Sequence, residues 1–345
     1  MSDAAQGAAT RAAARVISSG ERRNILSTAR LALNMTIGVA LPSGDTADAV
    51  NIVDELVTQT RQAADAGLTS VWFSQQMEHD AITVAALAGR AVPGITVGTG
   101  VVPIYPRHPL LITGLAQTAQ AATGGRFVLG LGTGAKNWLE PAYGIEYPSP
   151  IKHLREYLTI LRQVLDGGEV DFQGETVRAH AKGFAASLSV AGSSDIPVII
   201  AAMGRQALRV TGELADGTIP FLAGPKALSE VIVPEITKAA AGRPAPRIIA
   251  MAPVVVTDDP DAVRAQVDRQ YAFFRDIPSY RAVFDAQGVD SAGELVIAGD
   301  EETVAAEIRR YFDAGATEVV ATQSGIRNSE ERLRTWSVLG DLVKR

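Results

Sequence analysis

An alternation restricts the fold more than any other feature. From Met35 onward, short β-branched runs alternate with longer helical stretches. The runs cover residues 36–41, 69–74, 95–102, 126–132, 196–203, 216–221, 247–256 and 317–323. They are continuous apolar segments of the kind buried in parallel sheets. The helical stretches cover about 49–66, 81–90, 109–122, 151–165, 204–215, 226–241, 260–274 and 301–314. Eight βα units in one run imply a (β/α)8 barrel, with a doubly wound sheet as the alternative. Two junctions repeat the same device: Asp65-Ala66-Gly67-Leu68-Thr69 and Asp313-Ala314-Gly315-Ala316-Thr317 each put Gly where a helix C-cap needs a left-handed residue.

The barrel reading requires insertions after strands 4 and 7. The first spans 135–195 and contains a helix and a hairpin around Val170–Val177; the second spans about 274–299. Both would crowd the C-terminal mouth, where barrel enzymes place their chemistry. Residues 1–34 stand apart, rich in Ala and Ser, with five arginines against Asp3 and Glu21. They read as a dispensable extension or a helical arm packing on a partner subunit, and 35–345 as the single barrel domain.

Composition removes whole classes of function. The chain has no cysteine, which excludes disulfides, thiolate metal sites and Cys nucleophiles. A net charge of −6 disfavours general nucleic-acid binding. No apolar run approaches the roughly 20 residues a membrane helix needs. A cytoplasmic protein acting on a small molecule is the expectation. His79, His108, His153 and His180 show no metal-ligand spacing, so no catalytic metal is expected. There is neither a G-x-S-x-G elbow nor a P-loop.

Three glycine sites sit at expected strand ends. Gly130-Leu131-Gly132-Thr133-Gly134 lacks the third glycine of a dinucleotide fingerprint, Ala135 standing there. Its following helix should be delayed by Pro141, Pro148 and Pro150. It reads as a strand end approached closely by a flat ligand, or as a tight βα turn. Gly98-Thr99-Gly100-Val101 marks a bulge or close backbone approach. Ala201-Ala202-Met203-Gly204-Arg205 would leave N–H groups free at a helix start, able to hold a phosphate, with Arg205 adding charge. After strand 2, Ser74-Gln75-Gln76-Met77-Glu78-His79-Asp80 carries the densest polar functionality at the mouth. His108 reads as a helix cap.

Together, 96–103, Tyr105-Pro106-Arg107-His108-Pro109, 125–134, 170–174, 196–204 and Ala215-Asp216-Gly217 resemble the bacterial-luciferase-like family, above all its coenzyme F420-dependent branch. The resemblance covers about residues 35–325. It implies a barrel, usually dimeric, with a deazaflavin or flavin at the C-terminal mouth. It also implies a non-prolyl cis peptide, which maps to Gly100–Val101 beside Thr99. Gly132, Thr133 and Gly134 map to the strand 4 ligand loop, and Ala201, Ala202, Met203, Gly204 and Arg205 to the phosphate-tail loop.

The chain departs from alcohol- and sugar-phosphate-oxidising members at strand 2. They carry Ser-Asp-His where this chain reads Ser74-Gln75-Gln76, and an amide takes no proton at neutral pH. An acid after the strand 4 glycines is Ala135 here. The resemblance therefore points to a reductase, with hydride delivered from C5 of reduced F420. Gln76 would hydrogen-bond the ring, and a proton would come from water, His79, Glu78 or Tyr105. Trp138 and Trp72 are candidate pocket walls, although a Trp in strand 2 fits the core equally well. An FMN-dependent monooxygenase and a non-catalytic cofactor-binding protein are the competing readings.

Overall fold

The computed structural model describes residues 35–42, 49–182 and 188–344; the 1–34 arm lies outside them. Twelve strands are present among these: β1 (Thr36–Leu41), β2 (Ser70–Phe73), β3 (Thr96–Thr99), β4 (Val102–Pro103), β5 (Phe127–Gly132), β6 (Asp171–Gln173), β7 (Arg178–His180), β8 (Val198–Ile200), β9 (Gly217–Thr218), β10 (Arg247–Val256), β11 (Ile297–Gly299) and β12 (Glu318–Thr322). Parallel pairing runs β1–β2–β3–β5–β8–β9–β10–β12 and returns to β1, which closes the (β/α)8 barrel. The helices are α1 (Ile52–Ala66), α2 (Ala81–Ala91), α3 (Pro109–Ala122), α4 (Lys136–Tyr143), α5 (Pro150–Gly167), α6 (Arg205–Leu214), α7 (Pro225–Ala227), α8 (Val233–Ala239), α9 (Pro260–Gln270), α10 (Pro278–Gln287), α11 (Glu301–Asp313) and α12 (Ser329–Val343).

Alternation along the strands sorts side chains into two cores. Ala40, Trp72, Val128, Ile199, Ile249 and Val320 fill the barrel interior. Their neighbours Val39, Val71, Phe73, Leu129, Ile200 and Val319 pack outward against the helices. Trp72 fits inside only because its neighbour in the sheet is Gly98, where an added Cβ would lie 2.7 Å from the indole. Trp72 is therefore fully buried core and not a pocket wall. Its Nε1 donates to Glu318 at 2.9 Å, and Ser70 Oγ and Arg247 Nη2 donate to the same carboxylate at 2.5 and 2.8 Å. Ser70, Arg247 and Glu318 each begin a strand, so this buried polar plug closes the N-terminal floor. A ligand must enter from the opposite end.

Both glycine junctions adopt the left-handed conformation, Gly67 at φ 95° and Gly315 at φ 99°. His108 caps α3 by accepting the Leu110 N–H. Three sequence expectations need correction. The helix after the strand 4 glycines is not delayed: α4 starts at Lys136 and contains Pro141. Pro141 costs only the bond to the Asn137 carbonyl in a helix that ends two residues later. The stretch 260–274 is α-helical only to Gln270 and continues as a 3₁₀ turn over Ala272–Asp276, and it belongs with α10 and β11 to the second insertion. The helix completing the eighth unit is α12, outside the stretches assigned from sequence.

Candidate active site

The site begins with one extra residue. β3 pairs with β5 as far as Gly98 opposite Val128, and β4 resumes at Val102 opposite Leu131. Four steps on one side match three on the other, so Thr99-Gly100-Val101 bulge from the ladder. The Gly100–Val101 peptide is cis, where the resemblance placed it. Thr99 is fully buried and bridges the gap: its hydroxyl donates to the Gly130 carbonyl at 2.8 Å and accepts the Gly130 N–H at 2.9 Å. The Gly130 glycine is obligatory, because a Cβ there would sit 1.7 Å from the Thr99 carbonyl oxygen. The Gly100 N–H reaches the Phe73 carbonyl, and Ser74 Oγ donates to the Gly100 carbonyl at 3.2 Å. The result is a bare backbone ledge at the barrel mouth.

The loop after β2 is stapled from within. Gln75 donates to the carbonyls of Gln76 and His79 and accepts from Arg107, whose guanidinium also pairs with Asp80 at 2.8 Å. Burial raises the Asp80 pKa, but bonds from Thr83 and Arg107 outweigh it and hold the carboxyl below its usual range. This turns Gln76 and Glu78 toward an upper cavity of about 560 Å³ that also includes Gly100 and Val101. His79 is folded beneath the loop instead, its side chain 6% exposed and neither ring nitrogen hydrogen-bonded. Tyr105 stacks between Tyr147 and His153 and gives its hydroxyl to the Pro148 carbonyl. Trp138 is half exposed and meets Tyr143 edge-on.

A second, side cavity of about 1160 Å³ adjoins the first at Ala201. Thr133, Gly134, Ala202, Met203, Gly204 and Arg205 all line it. Gly132 is buried behind Val101 and Ala201. Two helices start at this cavity, α4 after Ala135 and α6 after Gly204, and no side chain caps either. Their first N–H groups and positive dipole ends are thus available to an anion. Arg205 is already paired with Glu235, which lies 3.7 Å from Arg209 as well, so its charge is partly spent.

Sequence reasoning missed the far wall of the upper cavity. Phe221, Gln266, Gln270, Tyr271, Tyr280 and Ser324 form it. Tyr271 shares a short hydrogen bond with Ser324, and its ring meets Phe221 edge-on at 5.3 Å. Burial pushes the phenols of Tyr271 and Tyr280 above their ordinary pKa, so both stay protonated at neutral pH. One signal was available: Tyr271, Phe273, Phe274, Tyr280 and Phe284 crowd one insertion of a chain that is 6% aromatic.

The family profile described as luciferase-like monooxygenase matches residues 35–318. The chain is 28% identical over 302 residues to a 5,10-methylenetetrahydromethanopterin reductase of Methanopyrus kandleri, covering 75% of this chain and 85% of that one. A solved coenzyme F420-dependent tetrahydromethanopterin reductase from the same organism superposes with a TM-score of 0.73 at 24% identity, covering 90% of this chain and 99% of that one. A type II Baeyer-Villiger monooxygenase from Pseudomonas putida, solved with FMN, gives 0.70 at 17% identity, covering 90% and 98%.

Proposed function

Because this chain belongs to the luciferase-like monooxygenase family, we propose that it is an F420-dependent oxidoreductase that reduces a small organic substrate. The observation carrying this reading is the convergence of two uncapped helix N-termini on one cavity, beside the bare backbone ledge made by the Thr99-Gly100-Val101 bulge. A phosphate-bearing tail fits the first and a flat ring fits the second. Gly100 seats the ledge closely on the barrel interior: a Cβ there would meet Met251 at 2.9 Å. When bound, reduced F420 supplies a hydride equivalent at its C5.

The chain's own residues do the rest. Ser74 fixes the Gly100 carbonyl, and Thr99 holds the bulge to β5. Gln76 offers an amide to the ring edge. Phe221 and Tyr271 narrow access of water from the far side. Tyr271, hydrogen-bonded to Ser324, holds a proton on the far wall of the cavity that the ledge lines. Among the described residues no histidine lines the upper cavity, and the one carboxylate that does, Glu78, has a side chain 65% exposed. A strong base for alcohol oxidation is thus lacking among the described residues, which favours reduction.

The FMN-bound neighbour gives a second reading, a flavin monooxygenase, since both cofactors carry a flat ring and a phosphate. Fluorescence titration with oxidised F420 and with FMN tests the two. Tight F420 binding with weak FMN binding supports the reductase; the reverse moves the protein to the monooxygenase reading. Failure to bind either removes the cofactor assignment. A homodimer completes the proposal: Leu87 on α2 and Leu111 and Leu115 on α3 are large apolar side chains exposed on adjacent helices. Among the described residues, no helix is long and apolar enough to cross a membrane.

A further inference from the structure

We propose that the upper cavity, beyond the Gly100–Val101 ledge, is a compartment for an uncharged, planar, carbonyl-bearing hydride acceptor and excludes anions. The inference rests on the ledge being the seat of the cofactor ring. Its basis is the chemistry of the walls. Glu78 is the only ionised side chain lining the cavity among the described residues, and no cation does so. The side cavity differs sharply, with Lys136, Arg205, Glu140 and Asp276 on its walls. Polarity in the upper cavity comes instead from amides and hydroxyls.

The amides of Gln76, Gln266 and Gln270 make no hydrogen bond among the described residues, so their N–H groups can meet carbonyl oxygens. Gln323 differs: its amide is spent on Trp336 and the Ala321 carbonyl. The far wall is aromatic, with Phe221 edge-on to Tyr271 and to Phe274 at 5.3 and 5.8 Å. Such walls suit a flat molecule. A cavity of about 560 Å³ lies within the range of small-ligand sites. An anion drawn into it would lose hydration and gain no counter-charge, while facing Glu78.

The reduction balances with groups named here. A hydride from reduced deazaflavin forms a new C–H bond at the acceptor, and the π pair moves onto its oxygen. That oxygen takes the proton of the Tyr271 hydroxyl, which regains one through Ser324 from solvent. The acceptor gains two electrons and the deazaflavin is oxidised by two.

The test uses two quinones on the purified protein in excess inorganic phosphate, which fills the α4 and α6 N-termini of the side cavity, by isothermal titration calorimetry. Menadione is neutral and 1,4-naphthoquinone-2-sulfonate carries one negative charge on a similar ring. The absence of cysteine removes thiol addition as an artefact. Menadione should bind at least tenfold more tightly. Gln270→Arg places a cation on an exposed position of the wall and should bring the two within threefold; circular dichroism confirms its fold. Equal affinities in the wild type, or an unchanged ratio in Gln270→Arg, overturn the proposal. The cofactor titration separates the two levels. A protein that binds F420 but does not discriminate the quinones keeps its reductase assignment and loses this one. A protein that discriminates them but binds neither cofactor keeps the neutral compartment and loses hydride transfer.

Discussion

Gly204→Asp should stabilise the protein while weakening cofactor binding. Gly204 is the N-cap of α6, at φ −73° and ψ 143°, a conformation open to any residue. An added Cβ meets nothing within 4 Å. Aspartate is a better cap than glycine by a few tenths of a kcal/mol, and its charge complements the helix dipole. The net gain is roughly 0.5 kcal/mol, a rise of about 1 °C in Tm for a chain this long. The same carboxylate would stand where a phosphate is expected. At an effective dielectric near 20, unit charges about 6 Å apart repel by roughly 3 kcal/mol. Solvent at the open side halves this, leaving about 1.5 kcal/mol, or a roughly tenfold rise in Kd. Gly204→Asn gives the cap without the charge and should lose only a few-fold. The assay is fluorescence titration with F420 at two salt concentrations, beside a thermal melt. If Asp and Asn weaken binding equally, the electrostatic reasoning is wrong; if neither weakens it, the α6 N-terminus does not hold the cofactor.

Other outcomes follow from the same geometry. Thr99→Val keeps the shape but strips Gly130 of two hydrogen bonds; chemical denaturation should show a loss of about 2 kcal/mol. Gly98→Leu drives a side chain into the Trp72 ring and should prevent accumulation of folded protein, read by circular dichroism. Leu111→Glu with Leu115→Glu should convert a dimer to a monomer in light scattering, and a wild-type monomer would refute the apolar face as an interface. Glu156 is desolvated, which raises its pKa, but bonds from Thr176, Glu175 and Val177 outweigh this and lower it. Its contribution is complete above the unfolded glutamate value of about 4.3 and is lost as pH falls through the depressed folded value. Glu156→Gln should therefore cost about 1 kcal/mol at pH 7. The gap to wild type should close below pH 4, measured by urea melts across that range.

The sequence by itself determined the barrel and the near side of its mouth. All eight barrel strands fall within runs that β-branched residues mark, because a strand buried on both faces must be apolar throughout. Gly67 and Gly315 announced helix ends because only glycine takes that conformation without cost. The ledge was legible for a similar reason: Gly98 stands against the Trp72 indole, Gly100 against Met251 and Gly130 against the Thr99 backbone, a demand carried by single positions. Tertiary structure alone decided the far wall. Gln266, Gln270, Tyr271, Tyr280 and Ser324 lie in an insertion and in the loop between β12 and α12, and their meeting around Phe221 depends on how α9 and α10 fold over the rim. No local periodicity encodes that contact. The same holds for His79 and Trp72, a plausible acid and a plausible wall by type. Packing of the loop by Gln75 and Arg107 turned one inward, and the space left by Gly98 drew the other into the core.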